Sequence, residues 1–231
     1  MFNEARVAPA LAERLSALVE IATEIAVIDG GSSDDTVQIL QDVRRWPRLH
    51  AEPRRFRVAR GPKGRAVQMN SGARGCQADV LVFLHADTEF SPAHCRAIQA
   101  AAARGVDFGC FALSIASPDP RLQLASWLIT LRSRLMPSAT GDQAIFMRRP
   151  LFEQLHGYRD LALCEDLDLI KRARARGRGR YACLEPAVAT SPRRWEQGGV
   201  WRTILLMWLL RLGCHAGIDP LTLKRVYQDI R

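Results

Sequence analysis

"EIAVIDGGSSDDTVQIL", Glu24–Leu40, is the stretch that decides the fold. The run Glu24–Asp29 reads as a strand. It ends in an aspartate, two glycines turn the chain, and a helix follows over Ser33–Arg45. Ser32 or Ser33 serves as its N-cap, and Asp34 and Asp35 fall in the first turn, where the helix dipole favours acids. Working outward, the same hand-over recurs. Ala5–Glu20 carries Leu11, Leu15, Leu18 and Val19 at helical spacing. Gly64–Cys76 reads as a helix and Val80–Leu84 as a buried strand. Ser91-Pro92 is an N-cap followed by proline at the first helical position, opening a helix to about Arg104. This βαβα order predicts an α/β fold, with a Rossmann-like, mostly parallel sheet covered by helices on both faces.

The last third changes character. Leu122–Leu135 reads as an amphipathic helix, Gln143–Met147 as a strand and Glu165–Arg176 as a helix stopped by Gly177. Gly199–Ile230 reads as two helices broken near Gly217 and Pro220. The expected division is a catalytic domain over 1–198 and a helical extension over 199–231 packed on it. No internal repeat or long linker is visible.

Composition sets the bounds. With 231 residues and 48% hydrophobic content, one domain with a full core is expected. The formal charge of +9 favours an anionic partner without choosing among nucleic acid, a phosphorylated ligand or an acidic membrane. Nucleic acid is disfavoured, because the cations are not interleaved with aromatics, which make up 7% of residues. The six cysteines are scattered without paired spacing and read as reduced thiols in a cytosolic protein. No signal peptide is read at the start. The apolar run "ILLMWLL", Ile204–Leu210, lies between Arg202 and Arg211 and is too short to span a bilayer. Trp201–Gly213 fits either a core-packed helix or one lying in a membrane interface.

Several clusters can carry chemistry. Asp29, at a strand end, is placed to accept hydrogen bonds from a base or ribose, or from its own turn. "GPKGRAVQMNSGA", Gly61–Ala73, offers glycines, Lys63, Arg65 and a helix start, a combination that holds a diphosphate or forms a basic surface turn. In "LVFLHADTEF", Leu81–Phe90, His85 and Asp87 share a face of extended chain. Asp87 suits a hard cation, and His85 suits Mn²⁺ better than Mg²⁺. "TGDQAIFMRR" brings Gly141, Asp142 and Gln143. "LCEDLDL" brings Glu165 and Asp166, neighbouring carboxylates that can supply a general base or simply complement a helix N-terminus. "TSPRRWEQGG" groups Arg193, Arg194 and Trp195, a guanidinium for a diphosphate and an indole for a sugar face.

Taken in order, "FNEA", "VIDGGSSDDT", "GRAVQMNSGA", "FLHADT", "GDQAIFMRR", "CEDLDL" and "SPRRW" resemble the family-2 glycosyltransferases with the GT-A fold. The subgroup most resembled is the bacterial radical-SAM/selenodomain-associated one. The resemblance implies transfer of a sugar, with inversion, from a nucleotide diphosphate donor carrying UDP or GDP. It places Asn3 and Glu4 at the nucleotide pocket with Asp29 on base or ribose. Lys63, Arg65 and His85 join that nucleotide-binding set. His85-Ala86-Asp87 stands for the D-x-D motif, with Asp87 and His85 on Mg²⁺ or Mn²⁺. Asp166, with Glu165 beside it, stands for the catalytic base. Asp142, Gln143, Arg194 and Trp195 fall on the acceptor and diphosphate side.

Departures are specific. His85 replaces the first aspartate of D-x-D, Ser191 stands where glutamine is common, and Gly30 replaces a frequent aspartate. The family has an apolar strand ahead of the N-E pair, where here Met1 and Phe2 stand; either a start upstream or a sheet closed around the gap is expected. The acceptor is expected to be lipid-linked if residues 200–213 touch a membrane, which would put a cytoplasmic protein at the inner face. The alternatives are a sugar nucleotidyltransferase and a degenerate transferase that binds nucleotide without turnover.

Overall fold

The computed structural model describes residues 1–52, 55–177 and 179–229, apart from the side chains of residues 193, 194, 197, 215, 228 and 229. Six strands and ten helices follow one another along the described chain. The strands are β1 (Ile25–Asp29), β2 (Phe56–Arg60), β3 (Val80–Phe83), β4 (Phe108–Ile115), β5 (Ile145–Arg148) and β6 (Tyr181–Thr190). The helices are α1 (Ala8–Leu18), α2 (Thr36–Gln41), α3 (Arg65–Arg74), α4 (Pro92–Ala103), α5 (Pro120–Leu135), α6 (Arg149–Gln154), α7 (Glu165–Ala175), α8 (Arg193–Gly198), α9 (Val200–His215) and α10 (Pro220–Asp229).

The strands alternate between two cores, as a period of two requires. Leu81, Phe83, Ile145, Met147, Phe108 and Cys110 face α3, α6 and α7. Phe146, Phe111 and Leu113 face α1 and α4, together with Val80 and Val82. Helices on both faces explain why the strands read as continuous apolar runs. Within the larger sheet, of order β3-β5-β4-β6, only β5 runs against its neighbours.

Local chemistry accounts for the element ends. Ser91 and His94 form a reciprocal capping box at α4, and Pro92 opens its first turn. The second helix is shorter than the expected Ser33–Arg45 and is preceded by Asp35, not Ser32 or Ser33. Ser32 is drawn away to Asp29, and Asp34 is used by Thr36 and Ala5. Gly141–Gln143 forms a 3-10 turn, so β5 starts two residues later than the expected Gln143.

The sheet does not close around the gap ahead of Asn3. β1 and β2 form a separate parallel pair, and among the described residues no backbone ladder joins β1 to β3. Met1 sits at the mouth of that gap. Its ammonium donates to Ile28 O at 2.7 Å, and its carbonyl accepts from Gly30 N at 2.7 Å. Those two bonds continue the parallel pattern of a neighbouring strand for one residue. The Gln68 amide, from α3, bridges the carbonyls of Met1 and Ile28 at 2.9 and 3.0 Å.

The expectation of reduced thiols is corrected at one pair. Cys164 and Cys214 form a disulfide across a separation of 50 residues, tying the start of α7 to α9. The four other cysteines are free. Among the described residues no helix is long and apolar enough to cross a membrane.

A two-stranded unit without a ladder to the larger sheet opens at lower free energy than the core. Hydrogen exchange read by mass spectrometry is expected to show β1 and β2 amides exchanging about tenfold or more faster than those of β4 and β6. Equal protection would mean that helix packing alone welds the two sheets.

Candidate functional site

One large cleft, of about 1920 Å³, runs from the gap between β1 and β3 past the ends of the strands to α5 and α9. The β3 end delivers His85 and Asp87 into it. The turn before β5 delivers Thr140, Gly141 and Asp142, and the first turn of α7 delivers Glu165 and Asp166. Glu4, Arg65 and Trp195 complete the set of expected residues that line it.

Asp166 is the most firmly placed of these. Its Oδ2 accepts Gly141 N at 2.7 Å and its Oδ1 accepts Leu167 N at 2.7 Å. Each oxygen keeps a second lone pair. Gly141 is required for its lack of a side chain: a Cβ there would lie 2.5 Å from His85 Nε2. Backbone and imidazole therefore touch at the centre of the site. Glu165 is buried, with Arg65 Nη1 3.6 Å from its Oε1. Burial, then the Asp166 charge, push the Glu165 carboxyl up, and Arg65 opposes them. His85 is driven toward its neutral form by burial and by Arg65, against the pull of Asp142, Asp87 and Asp166.

Two cations that line the cleft were not singled out as site residues in the sequence. Arg132, on α5, reaches Gln143 Oε1 at 3.2 Å, and its Nε is buried without a hydrogen-bond partner. Burial lowers its pKa, against Asp142. Arg211, on α9, donates to Ser138 Oγ. Burial and the nearby Arg132 charge bring it down to about 10, against Asp166 and Asp142. Arg132 belonged to a helix pattern and Arg211 bracketed an apolar run. The one available signal was a cation placed inside an otherwise apolar helix.

Other expected residues lie elsewhere. Asp29 is buried, but both its oxygens serve its own turn: Oδ2 accepts Gly31 N and Ser32 N at 2.9 Å, and Oδ1 accepts Ser32 Oγ at 2.5 Å. Burial would raise its pKa; the bonds from Ser32 and Gly31 outweigh that and hold it below the usual range. Asn3 likewise braces the loop, its Oδ1 accepting Ser33 N at 2.9 Å. Lys63 Nζ sits 3.8 Å over the Phe2 ring. Gln143, expected on the acceptor side, is turned into the core instead. Its Oε1 accepts from Thr140 N at 3.1 Å and its Nε2 donates to Phe111 O at 3.0 Å. Trp195 does line the cleft, with its ring packed against the Ile115, Leu122 and Ala125 cluster. The side chain of Arg194 lies outside the described residues.

Among the described residues no three His, Cys, Asp or Glu side chains gather into a set able to hold a metal ion unaided. The site still carries a suitable acceptor. Asp142 Oδ1 is buried without a hydrogen-bond partner. A buried carboxylate oxygen left so is costly unless a cation or donor meets it. Asp142 and Asp87 each act on His85, whose pKa burial lowers, and carboxylate oxygens with a neutral imidazole suit a hard or borderline divalent ion completed by ligand oxygens.

Comparison with known proteins agrees with this geometry. The model of glycosyl transferase family 2 matches residues 1–151. Among solved structures, the mannosyltransferase PcManGT from Pyrobaculum calidifontis, in complex with GDP-Man and Mn²⁺, superposes with a TM-score of 0.64 at 20% identity, over 95% of this chain and 62% of that one. Glucosyl-3-phosphoglycerate synthase from Mycobacterium tuberculosis, with Mn²⁺, UDP and phosphoglyceric acid, gives 0.58 at 19% identity, over 92% and 76%. S. aureus TarS 1-349 with UDP gives 0.56 at 15% identity, over 78% and 57%. The chain thus spans only about three fifths of the PcManGT and TarS chains. These likenesses place the fold with the GT-A glycosyltransferases. No curated protein matches the chain.

Gln143 is expected to act as a brace. Gln143→Ala leaves Thr140 N and Arg132 short of an acceptor, and should cost about 1–3 kcal/mol or more in a urea titration. A variant of unchanged stability would return Gln143 to the list of ligand-facing groups.

Proposed function

The chain belongs to glycosyl transferase family 2, and from that premise we propose that it is an inverting glycosyltransferase using a nucleotide diphosphate sugar. The donor carries UDP or GDP, and the acceptor presents a hydroxyl. The observation that carries the reading is Asp166, fixed by two backbone amides in a cleft shared with His85, Asp87, Arg132 and Arg211.

In this reading Asp166 takes the proton of the acceptor hydroxyl, using a lone pair that Gly141 and Leu167 leave open. The two backbone bonds hold its carboxylate against rotation, so the attacking oxygen meets the anomeric carbon from one direction. The diphosphate leaves on the opposite side. Arg132 and Arg211, with Arg65 at the α3 start, form a positive wall in the cleft for the growing negative charge. Glu165, buried beside Asp166, orients Arg65. Asp87 and His85, with Asp142, would hold Mg²⁺ or Mn²⁺. Such an ion supplies positive charge to the leaving diphosphate. The Mn²⁺ and nucleotides named with PcManGT and the glucosyl-3-phosphoglycerate synthase support this part. Asn3, Glu4, Asp29 and Lys63 shape the loop that borders the nucleotide end. The finer placement in the radical-SAM/selenodomain-associated subgroup rests on the order of the motifs. Peripheral contact of residues 200–213 with the inner face of a membrane would accompany this reading without being required by it.

Calorimetric titration with UDP and GDP, with and without Mn²⁺, tests the donor half. Metal-dependent binding of one nucleotide, lost in Asp87→Ala, is expected. No binding by a folded protein would leave a degenerate transferase. For the chemical half, Asp166→Asn should keep nucleotide binding while transfer falls by about 10²–10⁴. Retained transfer would remove Asp166 from the role of base.

A further inference from the structure

α9 is apolar nearly all round. Its inner face is spent in the fold, with Val200 and Ile204 against the Ile115, Leu122 and Ala125 cluster and Leu210 with Leu223 and Tyr227. Its outer face carries Trp201, Leu205, Trp208, Leu209 and Leu212, all exposed, at spacings of one helix face. The structure adds a second exposed stripe, on the helix that the sequence showed only as amphipathic. On α5, Leu124, Trp127, Leu128 and Leu135 follow the same periodicity and are also exposed, Leu135 at 73%. α5 and α9 are in contact. Three of the chain's five tryptophans, Trp127, Trp201 and Trp208, are more than half exposed, and all three lie on these two helices.

We propose that this α5–α9 face docks on an anionic phospholipid bilayer and sets the catalytic end of the cleft against the lipid surface. Charge selects this occupant. α5 and α9 carry no aspartate or glutamate; of their arginines, Arg132 and Arg211 belong to the cleft, and Arg121, Arg134 and Arg202 are exposed. Arg121 and Arg134 are partly offset by Asp119 and Glu185, while Arg202, Lys224 and Arg225 add exposed cations nearby. Apolar stripes with exposed indoles and a cationic rim fit a headgroup boundary. A second copy placed on the same face would set like charges against each other. Neither helix is long enough to cross the bilayer, so the contact is interfacial.

Continuity with the site gives the docking its consequence. Leu124, Leu128, Leu135, Trp201 and Trp208 line the same cleft as Asp142 and Asp166. An acceptor held in the bilayer surface would reach Asp166 along an apolar wall without crossing open water. This consequence rests on the glycosyl-transfer reading, whereas the docking itself does not.

The test is co-sedimentation with vesicles of phosphatidylcholine, alone or with added phosphatidylglycerol, on wild type and on Trp127→Ser/Leu209→Ser. The wild type should bind the anionic vesicles in a salt-sensitive way, and the double variant about tenfold or more weaker. Circular dichroism and nucleotide binding of the variant should match wild type. Wild type left in the supernatant with both vesicles, or undiminished binding by the variant, would overturn the proposal. So would a wild-type dimer, by light scattering, that the double variant dissolves, since a second copy would then cover the face. Loss of nucleotide binding in all proteins with vesicle binding intact would instead strike the catalytic reading.

Discussion

The hydrogen bond from Gly141 N to Asp166 Oδ2 is the constraint on which the site depends. It ties the turn before β5 to the first turn of α7, and His85 rests against the same glycine. Three separate elements thereby meet at one peptide. The turn is held from behind by Gln143, whose buried amide satisfies Thr140, Arg132 and the β4 carbonyl of Phe111. A position so fixed from both sides gives a carboxylate one orientation, which is what directed proton abstraction needs.

Around that bond the charges are balanced without being neutralised pairwise. Burial disfavours the charged forms of Glu165, His85, Arg132 and Arg211 together. Like charges add to this, Asp166 on Glu165, Arg65 on His85 and Arg132 on Arg211, while Arg65 on Glu165 and the aspartates Asp142 and Asp166 on the cations oppose it. Burial favours neutral His85, while Arg211, brought down only to about 10, remains a cation, as does the always-protonated guanidinium of Arg132. The cleft is therefore preset for an incoming anion, and the cost of assembling its cations is borne by the fold rather than at the moment of reaction.

Much of this was legible in the sequence, for reasons that differ by residue. β1, α3, β3 and α4 could be read because each ends in local chemistry: a turn glycine, a proline, a serine cap. β2, β4 and β6 were not read. "FGCFALSI" is buried on both faces and has no alternation to follow, and Pro186 inside β6 argues against a strand by itself. His85, Asp87 and Asp166 were visible as ionisable groups at element ends. The inward turn of Gln143 was not, because its partners lie up to 33 residues away. Nor did spacing reveal the Cys164–Cys214 bridge, whose geometry is made by α7 and α9 meeting. The apolar stripe of α5 was read as amphipathic, but a hydrophobic face does not state whether protein covers it.

The divided sheet gives the site two halves with unequal support. The four-stranded sheet carries His85, the Gly141 turn and α7, each anchored in a core that packs on both faces. The pair β1–β2 carries the loop of Asp29, Ser32 and Asn3. Those halves face each other across the cleft, joined by helices and by the Gln68 amide that clasps Met1 and Ile28. Backbone ladders are stiff because each bond shares its geometry with the next, and a side-chain clasp is not. The Asp29 loop is therefore tied less firmly to the Asp166 end of the cleft than Asp166, His85 and Gly141 are tied to one another. A donor that contacts both halves would draw them together.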